Sequence, residues 1–101
     1  MSTRPPRSGV IETELDFYVS LGKALADPTR LRILQLISSQ DEYACTALEH
    51  ELTVSKSTIS HHVKVLHAAG LVTVRRDGKY FFYRLRRDVL DEYLPEMMDR
   101  I

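Results

Sequence analysis

The sequence predicts a mainly α-helical domain that carries one β-hairpin. Over most of the chain, apolar residues recur every three or four positions, the spacing of helices with one buried face. Between residues 71 and 85 the period changes to two, as in β-strands. The 101 residues are 44% hydrophobic and 28% charged, which is typical of one globular domain. We expect residues 11–101 to form this domain and residues 1–10, which contain two prolines, to form a flexible tail.

Two helices are expected at the start of the domain. Apolar spacing predicts the first helix over residues 12–25. Asp27 is a good N-cap for the second, and Pro28 fits a first helical position, where its missing N–H costs nothing. The second helix is predicted over residues 28–39, with Arg30 facing outward.

The next two helices are separated by very few residues. The third is predicted over residues 46–52, where Thr46 and Glu49 match the spacing of a capping box. Ser55 is positioned to cap the fourth, residues 56–69. Two helices joined by so short a connection indicate a helix-turn-helix.

A β-hairpin follows the fourth helix. Gly70 suits the left-handed position that ends a helix, and residues 71–76 and 79–85 are rich in β-branched and aromatic side chains. The intervening Asp77-Gly78 pair is typical of a type I′ turn.

An apolar stripe near the end of the chain predicts further helix. Pro95 either kinks this helix or begins a second short one. The fold prediction is therefore mainly α with a β-hairpin, comprising about five helices and two strands.

The net charge is zero, but the charges are unevenly distributed. Residues 54–87 hold eight Lys or Arg and one acid, whereas residues 11–53 and 88–101 are both acidic overall. A basic block of this kind attracts a phosphate backbone, although scattered charges on a solvated surface are an alternative interpretation.

The fourth helix has two distinct sides on a wheel of about 100° per residue. One side faces the core with three apolar residues: Ile59, Val63 and Leu66. The other is polar and weakly cationic, and no acid occurs between Ser55 and Arg76. Small hydroxyl side chains near a helix start suit bases or phosphates in a major groove.

The hairpin adds a second basic element. Arg75, Arg76 and Lys79 surround its tip, where they suit a minor groove or a DNA backbone. A basic hairpin after such a helix indicates a winged helix-turn-helix that binds double-stranded DNA. A hairpin kept soluble by its charges is the alternative. The predicted DNA contacts are Ser55, Lys56, Ser57, Thr58, Ser60, His61, Lys64, Arg75, Arg76 and Lys79.

Three segments resemble the ArsR/SmtB family of bacterial winged-helix repressors. The first is residues 21–34, LGKALADPTRLRIL. The second comprises residues 57–66 and 69–72, and the third joins residues 76–79 to 83–85. The resemblance covers roughly residues 20–87, with the three segments in the expected order.

The resemblance implies a homodimer that represses transcription from an inverted-repeat operator. In that family the first and last helices form most of the dimer contact. The residues expected there are Leu15, Val19, Leu90, Tyr93, Leu94 and Met97. Apolar stripes on both terminal helices of so short a chain also favour a partner surface.

The metal sites of the family are not preserved in this sequence. Ala44 and Thr46 stand where one family site has two cysteines, and residues 88–101 lack the histidine of the other. We therefore expect no metal and no cofactor, and an unidentified small-molecule effector stays open.

The single cysteine, Cys45, has two interpretations. It is a small buried residue at a helix start, or a redox-responsive thiol, because a helix N-terminus lowers a thiol pKa. One cysteine per chain also fits a cytoplasmic protein.

Two other classes of protein fit the sequence less well. A winged helix that binds only proteins is opposed by the acid-free helix and the basic hairpin. An enzyme is opposed by the lack of a nucleophile motif, a phosphate loop or a metal motif. No apolar run is long enough to span a membrane.

Overall fold

The computed structural model describes the backbone of residues 14–100 and the side chains of residues 14–97. This part contains six helices and three strands. In chain order they are α1 (Glu14–Leu25), α2 (Pro28–Ser38), β1 (Tyr43–Ala44), α3 (Cys45–Leu52), α4 (Lys56–Ala68), β2 (Val72–Asp77), β3 (Tyr80–Leu85), α5 (Arg87–Tyr93) and α6 (Pro95–Arg100). The predicted tail, residues 1–10, and residues 12–13 of the predicted first helix lie outside the described residues.

The predicted class, mainly α with a β-hairpin, is confirmed. Of the two alternatives for Pro95, the second is found: Pro95 begins α6, and Leu94 separates it from α5. Proline suits a first helical turn because its missing N–H has no partner there in any case.

The sheet has three strands where two were predicted. β1 pairs antiparallel with β3, placing Tyr43 opposite Tyr83, and the strand order is β1-β3-β2. A strand of two residues is too short to show an alternating pattern in the sequence. It fixes the start of α3 against the sheet, since α3 follows β1 without a break.

The turn of the hairpin differs from the predicted type I′. Asp77 pairs with Tyr80, so the two turn residues are Gly78 and Lys79. Gly78 has φ +63°, and Lys79 is not among the residues with positive φ. This sign pattern is that of a type II′ turn, in which glycine takes the first central position. The predicted Asp77-Gly78 pair is therefore displaced by one residue.

The predicted capping box of α3 is wrong. The helix begins at Cys45, its N-cap is Ala44, and no side chain caps it. Thr46 lies exposed inside the first turn. Pairing of β1 determines where the helix starts, which the local pattern did not show.

The connection between α3 and α4 contains a left-handed residue. Thr53 has φ 56°, and its N–H donates to the Glu49 carbonyl at 2.9 Å, closing the last turn of α3. A β-branched residue with positive φ is strained, because its Cβ crowds the following carbonyl. This turn sets the angle at which α4 leaves α3.

The core draws on α1 to α5 and on all three strands. The predicted apolar side of α4 is confirmed, since Ile59 and Leu66 are fully buried and Val63 nearly so. Burial of each such side chain stabilises the fold by roughly 1.5–3 kcal/mol. The Asp27 cap of α2 is also confirmed, because its carboxylate accepts from the Arg30 N–H at 3.0 Å. Arg30, which was predicted to face outward, is half-buried and points back toward α1 and α4.

Candidate nucleic-acid interface

The start of α4 presents a cluster of hydroxyl groups. Ser55 caps the helix, and its Oγ accepts from the Thr58 N–H at 3.2 Å. The same oxygen lies 3.1 Å from Ser57 Oγ and 3.0 Å from Thr58 Oγ1. Ser55 and Ser57 are exposed and Thr58 is half-buried. Ser55 therefore has a structural task in addition to its predicted role as a DNA contact.

The side of α4 opposite the core is open to solvent. Ser60, His61 and Lys64 are all exposed, as the helical wheel predicts. The helix contains no acidic residue, so no carboxylate on it opposes an approaching phosphate. The unpaired backbone N–H groups of the first turn add a partial positive charge at the N-terminus of α4.

The tip of the hairpin contacts the start of α4. Lys56 Nζ donates to the Lys79 carbonyl at 3.4 Å and lies 5.2 Å from the centre of the Phe81 ring. Arg76 lies 5.6 Å from the same ring and donates to the Gly78 carbonyl at 2.7 Å. A carbonyl and a ring hold these cations in place without cancelling their charge. We call the two cations beside Phe81, Lys56 and Arg76, the inner cations. Lys79 contributes its carbonyl to this contact, and its own Nζ lies 5.6 Å from the centre of the Tyr80 ring.

Arg75 lies on the opposite face of the hairpin. Its guanidinium forms a two-point ion pair with Glu42, at 2.7 and 2.9 Å, and stacks 4.4 Å from the Phe82 ring centre. The Arg75 hydrogen bond holds the pKa of the Glu42 carboxyl below its usual value. The sequence grouped Arg75 with Arg76, but strand alternation places neighbours on opposite faces and could have separated them.

An open groove of about 300 Å³ runs between α4 and the inner face of the hairpin. Val63, Val74 and Phe81 contribute its apolar surface, and Ser60 and Lys64 contribute polar groups. The groove is thus bordered by the exposed side of α4 and by Phe81, the ring beside which Lys56 and Arg76 lie.

The predicted dimer residues divide into three groups. Leu15 and Val19 on α1 are 73% and 57% exposed, and Tyr18 beside them is 47% exposed. Tyr93, Leu94 and Met97 are half-buried and pack against the core.

Leu90 belongs to neither of these groups. It is 1% exposed, within the core of a single chain, so its prediction as a dimer contact is wrong. An amphipathic pattern alone does not distinguish a buried stripe from an interface.

Cys45 is 3% exposed. Its Sγ donates to Glu49 Oε2 at 3.7 Å, and burial raises the pKa of the thiol. A reactive thiolate needs the opposite shift. The geometry supports the interpretation of Cys45 as a small buried residue rather than as a redox sensor.

Two further features are not found among the described residues. No group of three or more His, Cys, Asp or Glu side chains among them could hold a metal ion. Within the same part of the chain, every helix is too short or too polar to cross a membrane.

Taken together, the helix pair, the hairpin and their shared basic surface define a winged helix-turn-helix domain. A family model described as a helix-turn-helix domain matches residues 25–75. The arsenical resistance operon repressor of Staphylococcus xylosus is 43% identical over 79 residues, which span 78% of this chain and 74% of that protein. The transcriptional repressor SdpR of Bacillus subtilis is 37% identical over 79 residues, spanning 78% of this chain and 87% of SdpR.

Solved structures agree with these relatives. A crystallised fragment from Mycobacterium bovis, described as a possible transcriptional regulatory protein, is 32% identical, with a TM-score of 0.74 over 87% of this chain and 95% of that one. A solution structure of the same fragment, described as a homodimeric winged helix-turn-helix DNA-binding domain, is 30% identical, with a TM-score of 0.74 over 93% of this chain and 90% of that one. The chain belongs to the ArsR/SmtB family of winged helix-turn-helix transcriptional regulators, which are not enzymes.

Proposed function

We propose that this protein is a cytoplasmic, homodimeric repressor that binds an inverted-repeat operator in double-stranded DNA. One observation carries the proposal: the acid-free exposed side of α4 is continuous with the inner cations through the contact of Lys56 with Lys79. A surface of this shape and charge matches a DNA duplex, because a helix fits the major groove while flanking cations meet the phosphates.

In this proposal α4 is the recognition helix, and its first two turns enter the major groove. Ser57 and His61 offer short hydrogen-bonding groups to base edges. Ser60 and Lys64 lie along the same exposed surface and reach the groove wall or a phosphate. The inner cations follow the backbone beside the groove. Arg75, held by Glu42, contributes little to DNA binding.

We further propose that α1 supplies the centre of the dimer contact. Leu15, Tyr18 and Val19 are the large apolar side chains most exposed on this helix. Tyr93 packs against Phe17 at 4.9 Å between ring centres, so the half-buried stripe of α5 and α6 adjoins this surface. A two-fold axis there presents two copies of α4 to successive major grooves, as an inverted repeat requires.

Fluorescence anisotropy across a salt series tests the DNA-binding proposal. The probes are a labelled duplex from upstream of the protein's own gene and a scrambled duplex of equal composition. We expect selective binding to the upstream duplex with a steep salt dependence, because phosphate contacts release counterions. Weak and equal binding to both duplexes, repeated with duplexes from a genome-wide selection, would contradict the proposal.

A matched pair of variants places the interface on α4. Lys64→Ala is expected to reduce the slope of log affinity against log salt by about one, since one phosphate contact is lost. Arg32→Ala removes the same charge from the exposed side of α2 and is expected to leave the slope unchanged. Equal slopes for Lys64→Ala and the wild type would show that Lys64 contacts no phosphate.

Sedimentation equilibrium tests the dimer proposal. Val19→Asp places a charge in the proposed contact and is expected to shift the protein toward monomers. Val74→Asp changes the same residue type on the hairpin, where the side chain is 41% exposed, and is expected to leave the dimer intact. A dimer that persists in Val19→Asp would place the contact elsewhere.

A further inference from the structure

The side chain of Arg30 joins three helices. Its Nε donates to the Ala24 carbonyl at 3.0 Å, and its Nη2 donates to the Lys23 carbonyl at 2.9 Å. Both carbonyls lie in the last turn of α1, where a helix has too few N–H groups to satisfy its acceptors. The guanidinium therefore caps α1 from its position in the first turn of α2.

The remaining guanidinium nitrogen reaches α4. Arg30 Nη1 lies 3.2 Å from His62 Nδ1, across 32 residues of sequence. Arginine only donates, so Nδ1 must accept, and the imidazole must be neutral with its proton on Nε2. Protonation of His62 converts the acceptor into a donor and places two cations in contact. The hydrogen bond exists only while His62 is uncharged.

His62 occupies the edge between the two sides of α4. It follows His61, whose exposed ring lies 5.4 Å away, and precedes Val63, which is 4% exposed in the core. A fixed contact at this edge limits rotation of α4 about its own axis. That rotation determines where His61 and Lys64 point.

We propose that Arg30 is a positioning residue for α4, acting through neutral His62, and that protonation of His62 releases the helix and weakens operator binding. The DNA-binding part of this inference rests on the function proposed above. The contact between Arg30 and His62 stands independently of it, because it is a property of the free protein.

The groups that surround His62 favour its neutral form on balance. From α2 these are Arg30 and the capping residue Asp27, and from α4 the neighbour is His61. Burial has the largest effect and lowers the pKa of His62 below its ordinary 6.5; Asp27 raises it, and Arg30 and His61 lower it further. On α1, the parts that meet Arg30 are carbonyls, while the Lys23 side chain lines an adjoining groove with Lys64.

The sign of the pH effect follows from this shift. Below the ordinary pKa the unfolded chain binds more protons at this position than the native protein does. The contribution of neutral His62 to the stability of the native protein is therefore complete above the ordinary pKa. It is lost as the pH falls through the lowered pKa of the folded state. Protonation of exposed histidines has the opposite effect on DNA affinity, so the test requires variants that separate the two.

Operator affinity is measured at about pH 8 and about pH 5.5, which bracket histidine titration. His62→Gln supplies a neutral acceptor that cannot be protonated, and His61→Gln is the matched control. Lowering the pH is expected to reduce the operator affinity of the wild type roughly fivefold more than that of His62→Gln. A roughly fivefold change corresponds to the loss of about one hydrogen bond. His61→Gln is not expected to remove this loss of affinity. Equal ratios of the two affinities in the wild type and His62→Gln would overturn the inference.

Two further measurements keep the test decisive if a variant folds poorly. Nitrogen NMR of the free wild-type protein is expected to show His62 with an unprotonated Nδ1 at neutral pH, and the opposite tautomer would also overturn the inference. Arg30→Lys keeps the charge but loses the fork of donors. It is expected to weaken binding at about pH 8 and to lose the acid response, whereas a purely structural role would leave that response unchanged.

The outcomes separate this inference from the proposed function. Selective DNA binding without the acid response would overturn the positioning role alone. A wild-type protein with no selective binding at either pH would overturn the proposed function, and the DNA-binding part of this inference with it.

Discussion

The two faces of the hairpin carry similar cations in different surroundings. On the inner face, Arg76 lies beside Phe81 and donates to a carbonyl, so its charge is available. On the outer face, Arg75 is paired with Glu42. Arg84, which donates to the Asp41 carbonyl at 3.3 Å, also interacts electrostatically with the Glu42 carboxylate and lowers its pKa further. Two arginines adjacent in sequence therefore differ in what they can bind. The number of basic residues in a segment does not by itself measure its attraction for DNA.

The largest expected effect comes from removing charge on one face at a time. Lys56→Ala combined with Arg76→Ala is expected to weaken DNA binding roughly fiftyfold at about 0.1 M salt and to reduce the salt slope by about two, since each phosphate contact contributes about 0.9. Arg75→Ala combined with Arg84→Ala removes the same charge from the outer face. We expect anisotropy titrations of that control to keep the wild-type slope. An equal loss in both double variants would show that the faces are equivalent.

The inner face also depends on the turn at its tip. Gly78→Ala places a side chain at φ +63°, which is expected to lower the free energy of unfolding by about 1–2 kcal/mol. The carbonyl that holds Arg76 belongs to this residue, so DNA affinity is expected to fall as well. Gly22→Ala, in the middle of α1, is a control with open space around the new Cβ, and a gain in stability is expected there. Thermal denaturation of both variants provides the measurement; an unchanged Gly78→Ala would mean that the tip adapts without strain.

In the turn before α4, a side chain at positive φ can be removed instead of introduced. Thr53 is a β-branched residue at φ 56°, so Thr53→Gly relieves strain. Allowing for the greater chain entropy of glycine, we expect the free energy of unfolding to rise by about 0.5–1 kcal/mol in urea denaturation. Thr46→Gly, inside α3, is the control and is expected to lose stability. A destabilised Thr53→Gly would mean that the threonine side chain makes contacts worth more than its backbone strain.

The smallest expected effect concerns the ion pair between Arg75 and Glu42 on the outer face of the hairpin. The pKa of Glu42 lies below its usual value, so the pair is intact above that value and is lost as the pH falls through the lowered pKa. Glu42→Gln is expected to remove this acid-dependent loosening of the wing while leaving the DNA salt slope unchanged. Amide hydrogen exchange of β2 as a function of pH measures the loosening of the wing, and fluorescence anisotropy measures the salt slope of DNA binding. A changed salt slope in Glu42→Gln would mean that Arg75, once released, reaches DNA.

Much of this fold could be predicted because its signals are local and repeated. The buried side of α4 and the alternation of the hairpin each extend over many residues. β1 was missed because two residues form no pattern, and the start of α3 was misplaced because β1 determines it. The turn type differed by one residue, since strand pairing rather than the Asp-Gly signal sets the register.

The candidate site was predicted in outline but not in its connections. Exposure of His61 and Lys64 follows from a helical wheel. The ion pair of Arg75 with Glu42 joins residues 33 positions apart, and no local pattern encodes it. Leu90 shows the same limit in reverse, because its spacing fits an interface and its burial depends on distant packing.

Because Cys45 is buried, the reactivity of its thiol can report local opening of the native protein. The chain has one thiol, and it is enclosed where α3 meets β3, with Tyr83 beside it. A thiol reagent can reach it only when that contact opens, so the labelling rate counts openings of the native state. The wild-type sequence thus carries its own kinetic probe at the junction of helix-turn-helix and wing, and its labelling rate with and without DNA would report how binding stiffens that junction.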